Sequence, residues 1–515
     1  MRRLSTALWL TAAPVLIPLT ATAAEAPLAD AVQRLDTSAI QRLLDHRVDP
    51  NGTQVDGMTA LHWAVYHDKL PLVEQLLEAG ADPELVNRYG VTAVSLAAEN
   101  GAAAVVGRLL DAGVDANTTL PGGETVLMTA ARSGRVAVVR ELIAHGADVL
   151  ATEPRRRQTA VMWAAAEGHA DVVETLMEVG ADFTTPLDSG FTPFLFAVRE
   201  GHLGVVGLLL NAGVDVNGRV DAVIPPERTY RAGRAVRVGT SPLLLAVTNA
   251  HWDVAASLLD AGADPNTDDA GYTALHLMAK VRKPGVGDND PAPDGSGRMT
   301  SLDIVRKLVD HGANLDARMT ERRNLNNTRH HELGSTPFML AALVADVELM
   351  RTLVDLGADP SLTSNERSTP LMAAAGLGTR SPGEDAGTET EVLEAVQLAL
   401  ELGNDVNAVD DHGETAMHGA AYKNLPAVIA LLAASGADVD VWARKNEHGW
   451  SPLTIARGYR FGNFKPSPVT VAAVEQAMLA EGITPPTVEE EAAESFDISA
   501  PRARTATTLP DRTPR

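Results

Sequence analysis

One short phrase recurs along this chain and constrains its fold more than any other feature. It opens with Thr or Ser and runs into small apolar residues, as in Thr59-Ala-Leu-His-Trp-Ala-Val and Thr369-Pro-Leu-Met-Ala-Ala-Ala. Its eleven openings are Thr59, Thr92, Thr125, Thr159, Thr192, Ser241, Thr273, Thr336, Thr369, Thr415 and Ser451. Most openings lie 32 to 36 residues apart and three gaps are longer. A fixed period near 33 residues indicates stacked structural repeats, and the longer gaps indicate insertions.

Each repeat predicts two short helices. The opening Thr or Ser is suited to the N-cap, where its hydroxyl accepts an unpaired backbone N–H, and Pro follows in several copies, as at Pro193 and Pro370. A second apolar segment, such as Leu72 to Leu77, has helical spacing and ends at Gly-Ala-Asp. Glycine is favoured just beyond a helix end because that site adopts a left-handed backbone.

The order Thr-Pro-Leu-His-x-Ala-Ala followed by Gly-Ala-Asp-x-Asn resembles the ankyrin repeat from Leu28 to Ile483. The resemblance implies an all-α solenoid of ten to eleven helix-turn-helix repeats with hairpin finger loops. It also implies a structural role for His62, His276 and His418, whose imidazoles would tie each helix start to a finger. Met or another residue replaces this His in most copies, and we expect the hydrogen bond to be lost there.

Composition limits what the chain can do. A net charge of −24, with 43 basic and 67 acidic residues, argues against nucleic acid as the partner, because nucleic-acid binding needs a broad basic surface. The absence of cysteine excludes disulfides, thiolate metal ligands and a cysteine nucleophile.

The N-terminus predicts export. Arg2 and Arg3 precede an apolar stretch that ends in small residues near Ala24, the pattern of a secretory signal peptide. We therefore predict a cleaved signal over 1–24, no stable membrane insertion of the mature chain, and a periplasmic location if the source is Gram-negative or a secreted one otherwise. A retained anchor is the alternative.

The remaining boundaries follow from the repeats. We predict an N-terminal capping half-repeat at 25–56, repeats at 57–448, a C-terminal capping repeat at 449–483 and a disordered tail at 484–515. Insertions are predicted near 218–238, 283–298, 318–333 and 376–390. The second and fourth are rich in Gly, Pro and Asp and are expected to form flexible surface loops. The first and third fall in fingers and carry local net charges of +3 and +2.

Motifs for catalysis or metal binding are not found. The sequence has no phosphate-binding Gly-x-x-x-x-Gly-Lys, no His-Glu-x-x-His and no Gly-x-Ser-x-Gly. The segment from Asp288 fails as a calcium loop because Ala292 and Pro293 occupy ligand and turn positions. His330 and His331 are interpreted as a loop pair rather than as metal ligands. We predict no catalytic residues, no metal site and no cofactor.

Binding surfaces are predicted from the resemblance, which implies a concave groove formed by the finger tips and the exposed face of the first helices, used together with the Arg-rich finger insertions. Aromatic and Arg residues at these positions are candidates because such residues dominate interface energies. The candidates are Tyr66, His67, Tyr89, Arg132, Phe191, Arg199, Arg228, Arg231, Arg234, Arg237, Tyr272, Arg322, Arg323, Tyr422 and Trp450. Trp63 and Trp163 lie inside the phrase and are interpreted as packing residues.

The favoured function is non-catalytic protein binding, by an exported scaffold or chaperone-like protein whose partner is another protein with an acidic surface. Two alternatives stay open: an insertion-built site for a small anionic ligand or metal, and a secreted effector that binds host proteins.

Overall fold

The computed structural model describes residues 26–221, 239–268, 270–284, 295–321, 333–383, 385–460 and 465–490. Contacts divide the chain into two units, Met1–Phe183 and Thr184–Arg515. Both units are built from pairs of short helices, as predicted. Within the described ranges no strand occurs, and extended pairing is limited to isolated bridges such as Val86 with Thr92. No helix in these ranges is both long and apolar enough to cross a bilayer.

The described part of the first unit, residues 26–183, contains five helix pairs. They are α1 Pro27–Gln33, α2 Thr37–Asp45, α3 Ala60–Tyr66, α4 Leu70–Glu78, α5 Ala93–Asn100, α6 Ala103–Asp111, α7 Val126–Arg132, α8 Val136–Ala144, α9 Ala160–Glu167 and α10 Ala170–Glu178.

The second unit continues the same alternation with larger insertions. Its described helices are α11 Pro193–Glu200, α12 Leu203–Asn211, α13 Pro242–Thr248, α14 Trp252–Asp260, α15 Ala274–Arg282, α16 Ser301–Asp310, α17 Pro337–Leu343, α18 Val347–Asp355, α19 Pro370–Ala375, α20 Glu389–Glu401, α21 Ala416–Lys423, α22 Pro426–Ala434, α23 Val439–Trp442, α24 Pro452–Ala456 and α25 Pro468–Ala480.

The first helix of each repeat starts where the Thr or Ser predicts. The Thr59 hydroxyl accepts the backbone N–H of His62, whose Nε2 lies 3.0 Å from the carbonyl oxygen of Val91 in the next finger. His62 therefore ties helix to finger as the sequence implied. Where Met replaces His, Met128 Sδ lies 3.4 Å from the backbone N of its own N-cap residue Thr125, which is a contact within the repeat and not the bond to the next finger. A thioether is a weak acceptor, so this substitute is weaker than an imidazole.

Neighbouring repeats are joined by the Asn of Gly-Ala-Asp-x-Asn. The Asn51 amide donates to the Gly80 carbonyl at 3.1 Å and accepts from the Asp82 N–H at 2.7 Å. Asn117 and Asn407 each make the same pair of contacts with the repeat that follows them. These side chains satisfy polar groups at the end of the following repeat's second helix.

The insertion at 376–390 is not the flexible surface loop that its composition predicted. Leu377, Thr379 and Ala386 are buried, and the Lys423 ammonium donates to the Ala386 carbonyl at 2.6 Å. The loop that connects α19 to α20 is therefore held in place by the buried Lys423 of α21.

Several predicted boundaries fall on residues outside the described ranges. The signal peptide and the residues after 490 lie there, as does most of the insertions at 218–238, 283–298 and 318–333. The predicted tail starts too early, because Arg457 donates to the Pro486 carbonyl at 3.0 Å and Thr487 caps Glu490.

Candidate functional site

The end of α3 carries a cluster of aromatic rings, which we call the α3 aromatic cluster: Trp63, Tyr66 and His67. The Trp63 and Tyr66 rings meet edge to face with centroids 5.5 Å apart, and His67 stacks on Trp63 at 6.1 Å. Trp63 Nε1 donates to Gln54 Oε1 at 2.8 Å, which fixes the indole against the first finger. Tyr66 remains 56% exposed, so the cluster combines a fixed base with an open face.

Two repeats further along the first unit, a cation and a ring form a second, half-buried feature. The Arg132 guanidinium lies 5.6 Å from the centre of the Trp163 ring, and its Nη1 is 3.7 Å from Glu124. Both side chains are half-buried. The position that Gln54 holds relative to Trp63 is held by Pro154 relative to Trp163. Proline offers no side-chain acceptor, and Trp163 Nε1 has no hydrogen-bond partner among the described residues.

The finger between α4 and α5 exposes Tyr89, which is 71% accessible, beside the exposed Val86. Tyr272 in the second unit is half-buried, and Trp450 packs partly against the buried Tyr422 and Ile455. Of these three candidates, Tyr89 has the most exposed side chain.

Phe191 was predicted on the surface, and this prediction is wrong. It is 6% exposed because Phe196 packs on it with ring centroids 5.2 Å apart and the Arg199 guanidinium covers it at 5.1 Å. Arg199 itself stays half-exposed and pairs with Glu200 at 2.7 Å. The exposed group here is therefore a cation resting on two buried rings.

Tyr422 was also predicted on the surface and is 7% exposed. Its hydroxyl donates to Glu414 at 2.7 Å and accepts from Asn446 at 3.1 Å. Burial raises the pKa of the Glu414 carboxyl, and burial together with that carboxyl raises the pKa of the Tyr422 hydroxyl. Tyr422 belongs to a buried polar network that joins two fingers, and it is not available to a partner.

The predicted candidates at Arg228, Arg231, Arg234, Arg237, Arg322 and Arg323 lie outside the described residues. Arg318, at the start of the same insertion as the last two, donates to the carbonyls of Gly334 at 3.1 Å and Thr363 at 2.6 Å. It is committed to holding fingers together.

A basic finger of ordinary length was missed. Arg155, Arg156 and Arg157 follow one another in the turn before α9, and all three are exposed. The buried Glu153 carboxylate accepts the backbone N–H groups of Arg155, Arg156 and Gln158 at 2.7, 2.6 and 3.2 Å. We call residues 153–158 the arginine finger. Three consecutive arginines in a chain of net charge −24 were the sequence signal that could have found it.

The last fingers of the second unit use charge differently. The His412 imidazole lies 3.1 Å from Glu366 and 3.0 Å from Glu447, so that one ring joins three successive fingers. Arg367 pairs with Asp411 at 2.5 Å. Burial alone would lower the pKa of His412, but hydrogen bonds to Glu447 and Glu366 outweigh it and raise that pKa to about 9. We call Glu366, His412 and Glu447 the histidine bridge.

In the described parts of the chain, no set of three or more His, Asp or Glu side chains has an arrangement that could hold a metal ion. His276 and His418 are buried at helix starts, and burial lowers both pKa values to about 4. They are neutral structural residues at physiological pH.

Comparison with protein families agrees with this architecture. The family described as "Ankyrin repeats (3 copies)" matches residues 17–87, 66–153, 94–186 and 150–220, and "Ankyrin repeat" matches 238–270 and 333–365. Together these matches cover just over half of the chain.

Curated proteins with similar segments are eukaryotic. The chain is 31% identical over 137 residues to ankyrin repeat, SAM and basic leucine zipper domain-containing protein 1 of Dasypus novemcinctus, which covers 27% of this chain and 24% of that protein. It is 32% identical over 200 residues to neurogenic locus notch homolog protein 2 of Homo sapiens, covering 34% of this chain and 7% of that protein.

Similarity to E3 ubiquitin-protein ligase KEG of Arabidopsis thaliana is 29% over 175 residues, covering 33% of this chain and 9% of the ligase. The chain thus spans a quarter or less of the length of each of these relatives. On the matched repeats and on this architecture, the chain belongs to the ankyrin-repeat family.

Proposed function

We propose that this chain is a non-catalytic scaffold, or a chaperone-like binding protein, that holds another protein with an acidic surface. The α3 aromatic cluster carries the proposal. Tyr66 and Trp63 present ring area on a base fixed by Gln54, and rigid aromatic groups give much contact area for little loss of conformational entropy.

Positive charge supports an acidic partner. The arginine finger and Arg132 lie in the first unit, and the sequence adds the basic insertions that contain Arg228 to Arg237 and Arg322 to Arg323. Complementary charge mainly raises the association rate and restricts the choice of partner.

Export is part of the proposal and depends on the pattern of residues 1–24. N-terminal sequencing of the chain purified from its source would show a mature start near Glu25 if the signal is cleaved. A start at Met1 or Arg2 would contradict cleavage.

The test is affinity capture from an extract of the source organism with the tagged chain, alongside Y66A/H67A and a control V469A/L479A. Val469 and Leu479 are exposed apolar residues of α25, far along the chain from α3. A stoichiometric partner that Y66A/H67A loses and the control keeps supports the proposal. Equal capture by all three proteins, or no partner at all, contradicts it.

The basic insertion is tested in the same assay. Replacing Arg228, Arg231, Arg234 and Arg237 with Ala should weaken capture and flatten its salt dependence. Replacing Arg34, Arg42, Arg47 and Arg140, which are exposed arginines of the first unit, removes equal charge elsewhere and should do neither. Unchanged capture by the first variant would remove the insertion from the binding surface.

A further inference from the structure

The arginine finger displays positive charge that its own unit does not use. Some arginines of the described chain pair with carboxylates, as Arg282 does with Asp346 at 2.7 Å and Arg457 with Glu475 at 2.9 Å. Arg155, Arg156 and Arg157 form no side-chain hydrogen bond or ion pair with any residue that the structure describes. Three adjacent guanidinium groups repel one another, so the finger stores unfavourable electrostatic energy.

The finger is nevertheless held rigidly. Three backbone N–H groups bond to the Glu153 carboxylate, and the main chain closes the turn from Glu153 N to the Gln158 carbonyl at 3.0 Å. Arg157 adopts a left-handed backbone with φ of 61°, which is unfavourable for a residue with a Cβ atom. The turn therefore forms despite the backbone strain at Arg157 and the repulsion between the three guanidinium groups. Backbone strain of this kind is typical of binding sites, where side chains are held in a fixed position for a ligand.

Its surroundings leave the arginines open. The preceding finger has Gly122 and Gly123 at its tip, and Gly123 lies under the Pro154 ring. Glu124, the acidic residue of that finger, pairs with Arg132 instead. At the base of the arginine finger, the Trp163 indole N–H is buried and has no acceptor among the described residues, so the exposed groups that an incoming carboxylate meets are the three guanidinium groups.

We propose that the arginine finger forms the docking site for a short acidic segment of the partner protein, whose Asp and Glu side chains pair with Arg155, Arg156 and Arg157. This rests on the proposed function and specifies its partner. Polyanions with extended charge fit less well, because a nucleic acid or an anionic bilayer would also meet the 67 acidic residues of a chain with net charge −24. A short run of carboxylates needs only the finger.

The experiment measures binding of a fluorescein-labelled polyglutamate peptide to the full chain by fluorescence anisotropy. We compare the unmodified chain with R155Q/R156Q/R157Q and with R34Q/R47Q/R140Q. The control removes the same charge from exposed positions of the same unit, and Arg47 shares the left-handed backbone of Arg157 with φ of 53°. Circular dichroism of each protein shows whether it is folded.

The finger variant loses three exposed ion pairs with the peptide, and each such pair contributes less than about a factor of five to the affinity. We therefore expect the variant to bind polyglutamate about tenfold more weakly at low salt. Its affinity should also depend less on salt. The control should change affinity by less than a factor of about two.

Equal weakening in both variants overturns the proposal, since it would show attraction to overall charge. So would binding of duplex DNA or phosphatidylserine vesicles that needs the finger when polyglutamate binding does not. The two proposals can fail separately. If Y66A/H67A loses the captured partner but R155Q/R156Q/R157Q keeps it, the proposed scaffold function is supported and the acidic docking site is rejected.

Discussion

The arginine finger and the histidine bridge put charge on the same structural element to opposite uses. In the arginine finger, three cations project from one turn and meet no carboxylate among the described residues, while its one carboxylate, Glu153, is turned inward on the backbone. In the histidine bridge, every charged group faces one of opposite sign in a neighbouring finger.

The arginine finger and the finger that contains Glu366 share a backbone feature. Arg157 in the first unit and Arg367 in the second both adopt a left-handed conformation, with φ of 61° and 60°. Arg367 pairs with Asp411 of the next finger, and Arg157 pairs with nothing that the structure describes. An arginine in a finger can therefore pair with a carboxylate of the neighbouring finger and join the repeats, or stay available to another molecule. Which of the two occurs depends on the side chains of the neighbouring finger.

The largest effect is expected at Glu153, on which the arginine finger depends. Glu153→Ala removes a buried acceptor from three backbone N–H groups and should lower the free energy of unfolding by about 2 to 3 kcal/mol. Urea unfolding followed by circular dichroism measures this. Glu84→Ala, at an exposed acidic residue before the second finger, should change it by less than about 0.5 kcal/mol. Equal effects of the two substitutions would show that the turn does not need the Glu153 carboxylate.

The fold could be predicted from the sequence because each repeat contains the same signals for where its helices begin and end. Thr59, Thr125 and Thr159 each cap the helix that the phrase predicts, and glycines such as Gly80 and Gly146 take the expected left-handed backbone after the second helix. A single cap would be weak evidence, but repeated caps at a fixed period leave little else that the chain can form.

The site followed only in part, because exposure depends on neighbours that the period does not specify. Tyr66 and Tyr422 occupy the same place in their repeats, seven residues after Thr59 and Thr415, yet one is 56% and the other 7% exposed. Tyr422 is buried because Glu414 and Asn446 supply hydrogen bonds from two fingers. Those partners are specific to that repeat, and no rule of spacing predicts them.

An intermediate effect is expected from pH at the histidine bridge. Its pKa is raised from 6.5 to about 9, so the protonated ring stabilises the folded chain fully below pH 6.5, and this contribution is lost as pH rises to about 9. The imidazole is partly exposed, so after allowance for solvent screening the loss should be about 1 kcal/mol. Urea unfolding at the two ends of this pH range measures it.

His412→Gln should remove that part of the pH dependence, whereas His46→Gln, at an exposed histidine of the first unit, should keep it. If both variants keep it, Glu366 and Glu447 do not act through His412. The histidine bridge would then resemble the arginine finger in having no ion pair that stabilises the fold.

The smallest effect tests the comparison most directly, by making one substitution in both fingers. Arg367→Gln removes the ion pair with Asp411 and should destabilise the chain by about 0.5 kcal/mol, while Arg157→Gln removes repulsion and no ion pair, and should leave stability unchanged or slightly raised. Because both residues have the same left-handed backbone, the cost of conformation cancels and only charge differs. Equal destabilisation by both substitutions would mean that Arg157 also stabilises its unit. The exposed charge of the arginine finger would then serve the stability of the fold, and it would no longer support a binding site for a partner.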